Sequence, residues 1–127
     1  MKRIIIGVGD GGKNTVLFQG APRVMRGGDE ELQASSEPPS EKIYMGWAAS
    51  ALDSSTSDYA AQIQDFNFKL KPGETRFLRV EIAPGAESPM HRTPNITDYL
   101  VAVSGELTMY TEDGTSVKFA AGDMLVG

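Results

Sequence analysis

Apolar residues recur at every second position in several short runs of this chain, and Gly, Pro, Asp and Asn separate the runs. That period belongs to a half-buried strand, whose successive side chains face opposite sides. Residues 3–8 read as a strand, Asp10-Gly11-Gly12-Lys13-Asn14 as a turn, and residues 15–18 as the second arm of a hairpin. Residues 41–48 carry Ile43, Tyr44, Met45 and Trp47 and predict another strand. Lys71-Pro72-Gly73-Glu74 is a turn into residues 75–82, with Leu78, Val80 and Ile82 on one face and Phe77, Arg79 and Glu81 on the other. Pro84-Gly85 ends that strand. Residues 96–103, 106–111 and 116–119 follow, joined by Ser104-Gly105 and Asp113-Gly114, which predicts an antiparallel meander.

Two stretches lack this alternation. Residues 26–40 are polar and rich in Gly and Pro, and read as a surface excursion. Ser54-Ser55-Thr56-Ser57-Asp58 can cap a short helix over residues 59–64. The expected organisation is one domain over residues 1–127, with N-terminal strands and a surface loop in 1–40 and the main strands in 41–127.

Composition narrows the partners. The formal charge of −5 argues against a phosphate-backbone binder, which needs clustered Lys and Arg, and favours a small molecule. The apolar run after Lys2 and Arg3 is only Ile4, Ile5 and Ile6, too short for a signal peptide or a membrane span, so a cytoplasmic location without membrane contact is expected. Cysteine is absent, which removes disulfides and thiolate metal sites.

Chemistry concentrates in residues 85–105. The single histidine, His91, stands between the turn residues Gly85 and Gly105, seven positions before Asp98. Asp98 shares strand parity with Ile96, Leu100 and Ala102, so if those face a core the carboxylate faces it too and needs a partner or a ligand there. The alternative for Asp98 is a capping or strand-end carboxylate, and for His91 a turn histidine bonded to backbone.

These residues resemble a cupin. The first cupin motif is G-x5-H-x-H-x4-E-x6-G, and Gly85, His91, Thr93, Asp98 and Gly105 fall at its positions, identical at three of the five. The run from Arg76 through Thr93, the pair Asp98-Tyr99, Val103-Ser104-Gly105-Glu106 and Ala120-Ala121-Gly122-Asp123 are similar to small single-domain cupins that carry His-Arg-Thr in place of His-x-His. The resemblance implies an all-β fold, an antiparallel cupin-like (jelly-roll) β-barrel. The family's second motif would open at Gly122, and its Pro, Gly, His and Asn are not in the sequence. A barrel incomplete at its C-terminus is therefore expected: a short variant, a truncated chain, or a subunit of a homodimer completed by a partner's strand.

The resemblance also implies a metal site of three histidines and a carboxylate, and here only His91 and Asp98 remain of that set. No cofactor is expected; a divalent metal, if bound, would be held by these two. What remains is acid-base chemistry, with His91 titrating near neutrality and Asp98 orienting it or holding its charged form. The expected activity is of lyase or isomerase type on a small organic metabolite, as in an isomerisation, dehydration, cyclisation or decarboxylation within biosynthesis. The alternative is a non-catalytic cupin that binds a small ligand or a partner protein. Arg79, Glu81, Trp47 and Tyr99 are the candidate substrate-binding residues. Arg79 and Glu81 are equally readable as a solvent-exposed ion pair, and Trp47 as packing.

Two motifs mislead. Gly7 to Asn14 nearly spells the phosphate-cradling G-x4-G-K-[ST], but Asn14 replaces the hydroxyl residue, and the β-branched segment after it does not start a helix. Asn95-Ile96-Thr97 fits the N-glycosylation pattern, and without a secretory signal it reads as a chance match.

Overall fold

A computed structural model describes residues 1–26, 41–50, 70–87 and 95–127. The expected excursion over 26–40 lies almost wholly outside the described residues, as do the short helix over 59–64 and His91. The described residues contain nine strands and no helix, in four antiparallel sheets: β1 (Arg3–Val8), β2 (Asn14–Gly20), β3 (Arg23–Arg26), β4 (Glu41–Ser50), β5 (Glu74–Ile82), β6 (Tyr99–Val101), β7 (Glu106–Tyr110), β8 (Ser116–Ala120) and β9 (Met124–Val126). Among them no sheet closes on itself into a barrel. They group into two compact units, Met1–Glu87 and Ser88–Gly127.

In the first unit β1 and β2 form the expected hairpin. Gly11 and Gly12, at φ 92° and 74°, turn the chain where a side chain would be strained, so the phosphate-loop look-alike is a hairpin turn. The second sheet has the order β3-β4-β5. Its inner face carries the core, with Ile43, Met45 and Ala48 fully buried, Met25 nearly so, and Leu78 packed against them.

The spacing of that core, 43, 45 and then 48, breaks the period of two. Met45 pairs with Leu78 and Trp47 with Phe77, leaving Gly46 as the extra residue of a β-bulge. A Cβ on Gly46 would stand 2.8 Å from the Phe77 carbonyl oxygen and 2.8 Å from its ring, so only glycine fits. The bulge turns Trp47 to the outer face and returns Ala48 to the core. Across the ladder, Tyr44 with Arg79, Lys42 with Glu81 and Trp47 with Phe77 share that outer face.

On the inner face, past the bulge, Glu74 and Arg76 form an ion pair whose side chains keep only 4% and 9% of their surface exposed. One Glu74 oxygen accepts from Nε and Nη2 of Arg76 at 2.9 and 2.8 Å, and the other accepts from the Lys71 amide at 2.9 Å. Burial pushes the Glu74 carboxyl up, but the Lys71 amide and the Arg76 guanidinium outweigh it and hold the group below the ordinary range.

The second unit departs from the expected meander. β7 pairs with β8 as predicted, while β6 pairs with β9, so one antiparallel pair encloses the other. This nesting is the pairing of a folded-over ribbon, in keeping with a jelly roll rather than a meander. β7–β8 is two-faced: Leu107, Met109, Val117 and Phe119 share one side, with Phe119 buried, and an exposed Lys118–Glu106 pair at 2.9 Å lies on the other. Among the described residues no helix is long and apolar enough to cross a membrane.

Candidate functional site

The glycines that frame the candidate motif are built as turns. Pro84-Gly85 sits in a tight turn closed by the Ala86 amide on the Ala83 carbonyl at 3.1 Å, with Gly85 at φ 74°. Pro at the first central position and a left-handed glycine at the second are the signature of a type II turn. Gly105 takes φ 77°, and its carbonyl accepts the Ala121 amide at 3.1 Å. Between them, Asn95 is the one described non-glycine residue with left-handed backbone, at φ 64°. Both ends of the 85–105 segment therefore adopt the conformation for which the motif uses glycine.

Asp98 stands just before β6. Its amide donates to the Gly127 carbonyl at 2.8 Å and its carbonyl accepts the Gly127 amide at 3.1 Å, which extends the β6–β9 ladder by one pair. The side chain is exposed. Of the residues that share its parity, Ile96 and Ala102 are half-buried but Leu100 is exposed, so the condition for a core-facing carboxylate is not met and Asp98 stands in solvent. A solvated carboxylate requires no buried partner. Tyr99, the next residue, is 82% exposed.

The other candidates lie in the first unit. Arg79 and Glu81 do meet, with Nη2 donating to Oε1 at 2.7 Å, both about half exposed. A third group, read in the sequence only as a strand residue, joins them: the Tyr44 hydroxyl donates to the other Glu81 oxygen at 2.8 Å, and the Arg79 guanidinium lies 5.8 Å from the Tyr44 ring centroid. The bond to Glu81, with burial and the Glu81 charge, raises the Tyr44 pKa against the opposing pull of Arg79, so its proton stays on the phenol. Arg79 Nη1 also contacts the Met1 thioether at 3.0 Å. Trp47 shares this outer face, half-buried, opposite Phe77. It lies on the sheet's surface rather than in its core.

Among the described residues no three of His, Cys, Asp and Glu converge in a way that could hold a metal ion. The donor chemistry of the chain does not fit the histidine-rich centre that cupins imply, because its 127 residues hold one histidine and no cysteine.

Comparison with known proteins agrees with the motif frame. Residues 78–126 match the family model of the cupin domain, from within β5 through β9, about two fifths of the chain. No curated protein matches the chain. The all-β strands and the nested antiparallel pairs are consistent with that match, and residues 78–126 are similar to a small cupin-type domain.

Proposed function

We propose that the protein acts on a small organic metabolite by acid-base chemistry, with His91 taking or giving the proton and Asp98 favouring its charged form. The reaction class is an isomerisation, dehydration, cyclisation or decarboxylation. The observation that carries the reading is the cupin match, in which Gly85 and Gly105 hold the turn conformations that frame His91 and Asp98 in sequence. An imidazole changes charge near neutral pH, and an aspartate favouring the imidazolium raises that titration toward the working range.

The test is turnover of candidate hydroxy acids, keto acids and enolisable carbonyl compounds, followed by His91→Ala and Asp98→Asn on any substrate found. The expected result is a loss of about 100-fold or more in kcat for His91→Ala. Asp98→Asn should lose less and move the acid limb of the pH profile to lower pH. Full turnover by His91→Ala refutes the reading. The exposure of Asp98 favours a second one, a non-catalytic cupin that binds a small ligand. Its mark is saturable binding without turnover.

A further inference from the structure

The outer face of the β3-β4-β5 sheet carries an open cleft of about 360 Å³. Tyr44, Arg79 and Glu81 supply its polar groups, and Met1, Pro22 and Val24 are among its apolar lining. The polar groups are fixed to one another: Glu81 accepts from both Arg79 and Tyr44, and the guanidinium stacks near the Tyr44 ring. Such locking lowers the ordering cost of binding.

The chemistry of that trio selects its ligand. A guanidinium and a carboxylate side by side present N–H donors next to unused acceptor lone pairs. An anion entering the cleft meets the charge of Glu81, and a cation meets Arg79. A neutral ligand with adjacent hydroxyls, each both donor and acceptor, satisfies the two together and leaves their pairing intact. The protein's net charge of −5 points the same way, against an anionic ligand.

A second observation supplies an apolar surface beside them. Phe77 lies two residues before Arg79 on the same outer face, roughly 7 Å along the strand. It is 74% exposed, and its ring edge rests on Gly46, where a Cβ would be 2.8 Å away. An aromatic ring held against a rigid sheet and left open to water offers a platform for an apolar ligand surface. Polar groups that pair with hydroxyls and a ring that covers C–H groups, one strand repeat apart, fit the two surfaces of one pyranose.

We infer that this face binds a neutral pyranose sugar, its vicinal hydroxyls on the Arg79–Glu81 pair and its C–H face toward Phe77. The site uses neither His91 nor Asp98, although the sequence offers Arg79 and Glu81 as substrate-binding residues for the acid-base reaction. A free monosaccharide and the terminal residue of a glycan share this chemistry.

The test is saturation-transfer NMR on the full chain with glucose, galactose, mannose and rhamnose, each also as its methyl glycoside. Free and linked sugars are thereby separated. The expected result is transfer to the ring C–H protons of at least one sugar, with affinity about tenfold weaker in Glu81→Gln and in Phe77→Ala. Both positions are at the surface, and a retained amide spectrum shows that the variants fold. His91→Ala and Asp98→Asn should leave the transfer in place. The proposal is overturned if no sugar in the set shows transfer, or if both surface variants bind as the parent does. It also falls if the signal disappears with His91→Ala, which would put the sugar in the other site.

Discussion

Replacing Glu74 by glutamine tests how the turn into β5 is held. The carboxylate serves two sides at once, accepting from the Arg76 guanidinium with one oxygen and from the Lys71 amide with the other. A glutamine has one carbonyl oxygen and one NH₂ group, so it can accept on one side only and confronts the other with a donor against a donor. The two side chains are only 4% and 9% exposed, so water is largely kept from the Arg76 side, while the Lys71 amide is at the surface and open to it. Removing one partner of a fully buried pair costs about 3–5 kcal/mol; this pair is partly open at the Lys71 side and glutamine retains part of the bonding, so the expected loss is about 1–3 kcal/mol. Urea denaturation should show the midpoint falling with the slope unchanged. The pH dependence carries the sign. A carboxyl held below its unfolded pKa stabilises the fold fully above that value, and the contribution is lost as pH falls through the folded pKa. Parent and variant should therefore differ most near neutrality and converge on acidification below about pH 4. A loss under about 0.5 kcal/mol at neutral pH, the ordinary size of a surface substitution, would show that the pair is solvated and refute the reasoning.

Other substitutions probe other elements. Gly46→Ala brings a Cβ to 2.8 Å from the Phe77 carbonyl oxygen, and overpacking of that kind costs about 1–3 kcal/mol by denaturant titration; a neutral result would mean that the bulge can relax. The Thr111 hydroxyl, followed by the Thr115 amide, lowers the Asp113 pKa to about 2, so carbon-13 NMR titration of Thr111→Val should move it toward the ordinary 3.8. An unmoved titration would show that the hydroxyl is not the main cause. The Tyr44 phenol should ionise at lower pH in Glu81→Gln, read from tyrosinate absorbance against a Tyr44→Phe reference; an unchanged curve would count against the Tyr44–Glu81 bond.

Local alternation made most strands readable. β1 has the expected bounds, and β5 starts one residue early because the Lys71–Glu74 turn pairs directly into it. β3 escaped because Arg-Val-Met-Arg offers only two apolar residues, and its pairing with β4 spans a long intervening segment. β9 has only three residues, too few to show a period. The nested order escaped for a different reason. Alternation fixes which face a residue takes but not which strand lies alongside it, so residues 96–103 read as a meander arm, whereas Tyr99–Val101, extended by the Asp98–Gly127 pair, lies against β9. At the site, Arg79 and Glu81 were legible as partners because i and i+2 share a strand face. Tyr44 was not, since its place opposite Arg79 depends on register between strands 35 positions apart. Trp47 could not be assigned a face without the one-residue shift at Gly46.

The enclosure of β7–β8 by β6 and β9 sets an order in time as well as in space. Pairing Val101 with Met124 first would close a loop of some twenty residues, whereas the inner hairpin closes over a short turn in which Gly114 takes φ 83°. Once the inner hairpin has formed, the free chain between the outer strands shrinks about threefold, which lowers the closure cost by about 1 kcal/mol. We expect this part of the chain to zip from the inside outward. Gly114→Ala, which strains the inner turn, should slow refolding, while Leu125→Ala in β9 should mainly hasten unfolding. Equal slowing of refolding by both would mean that the outer pair forms as early as the inner one.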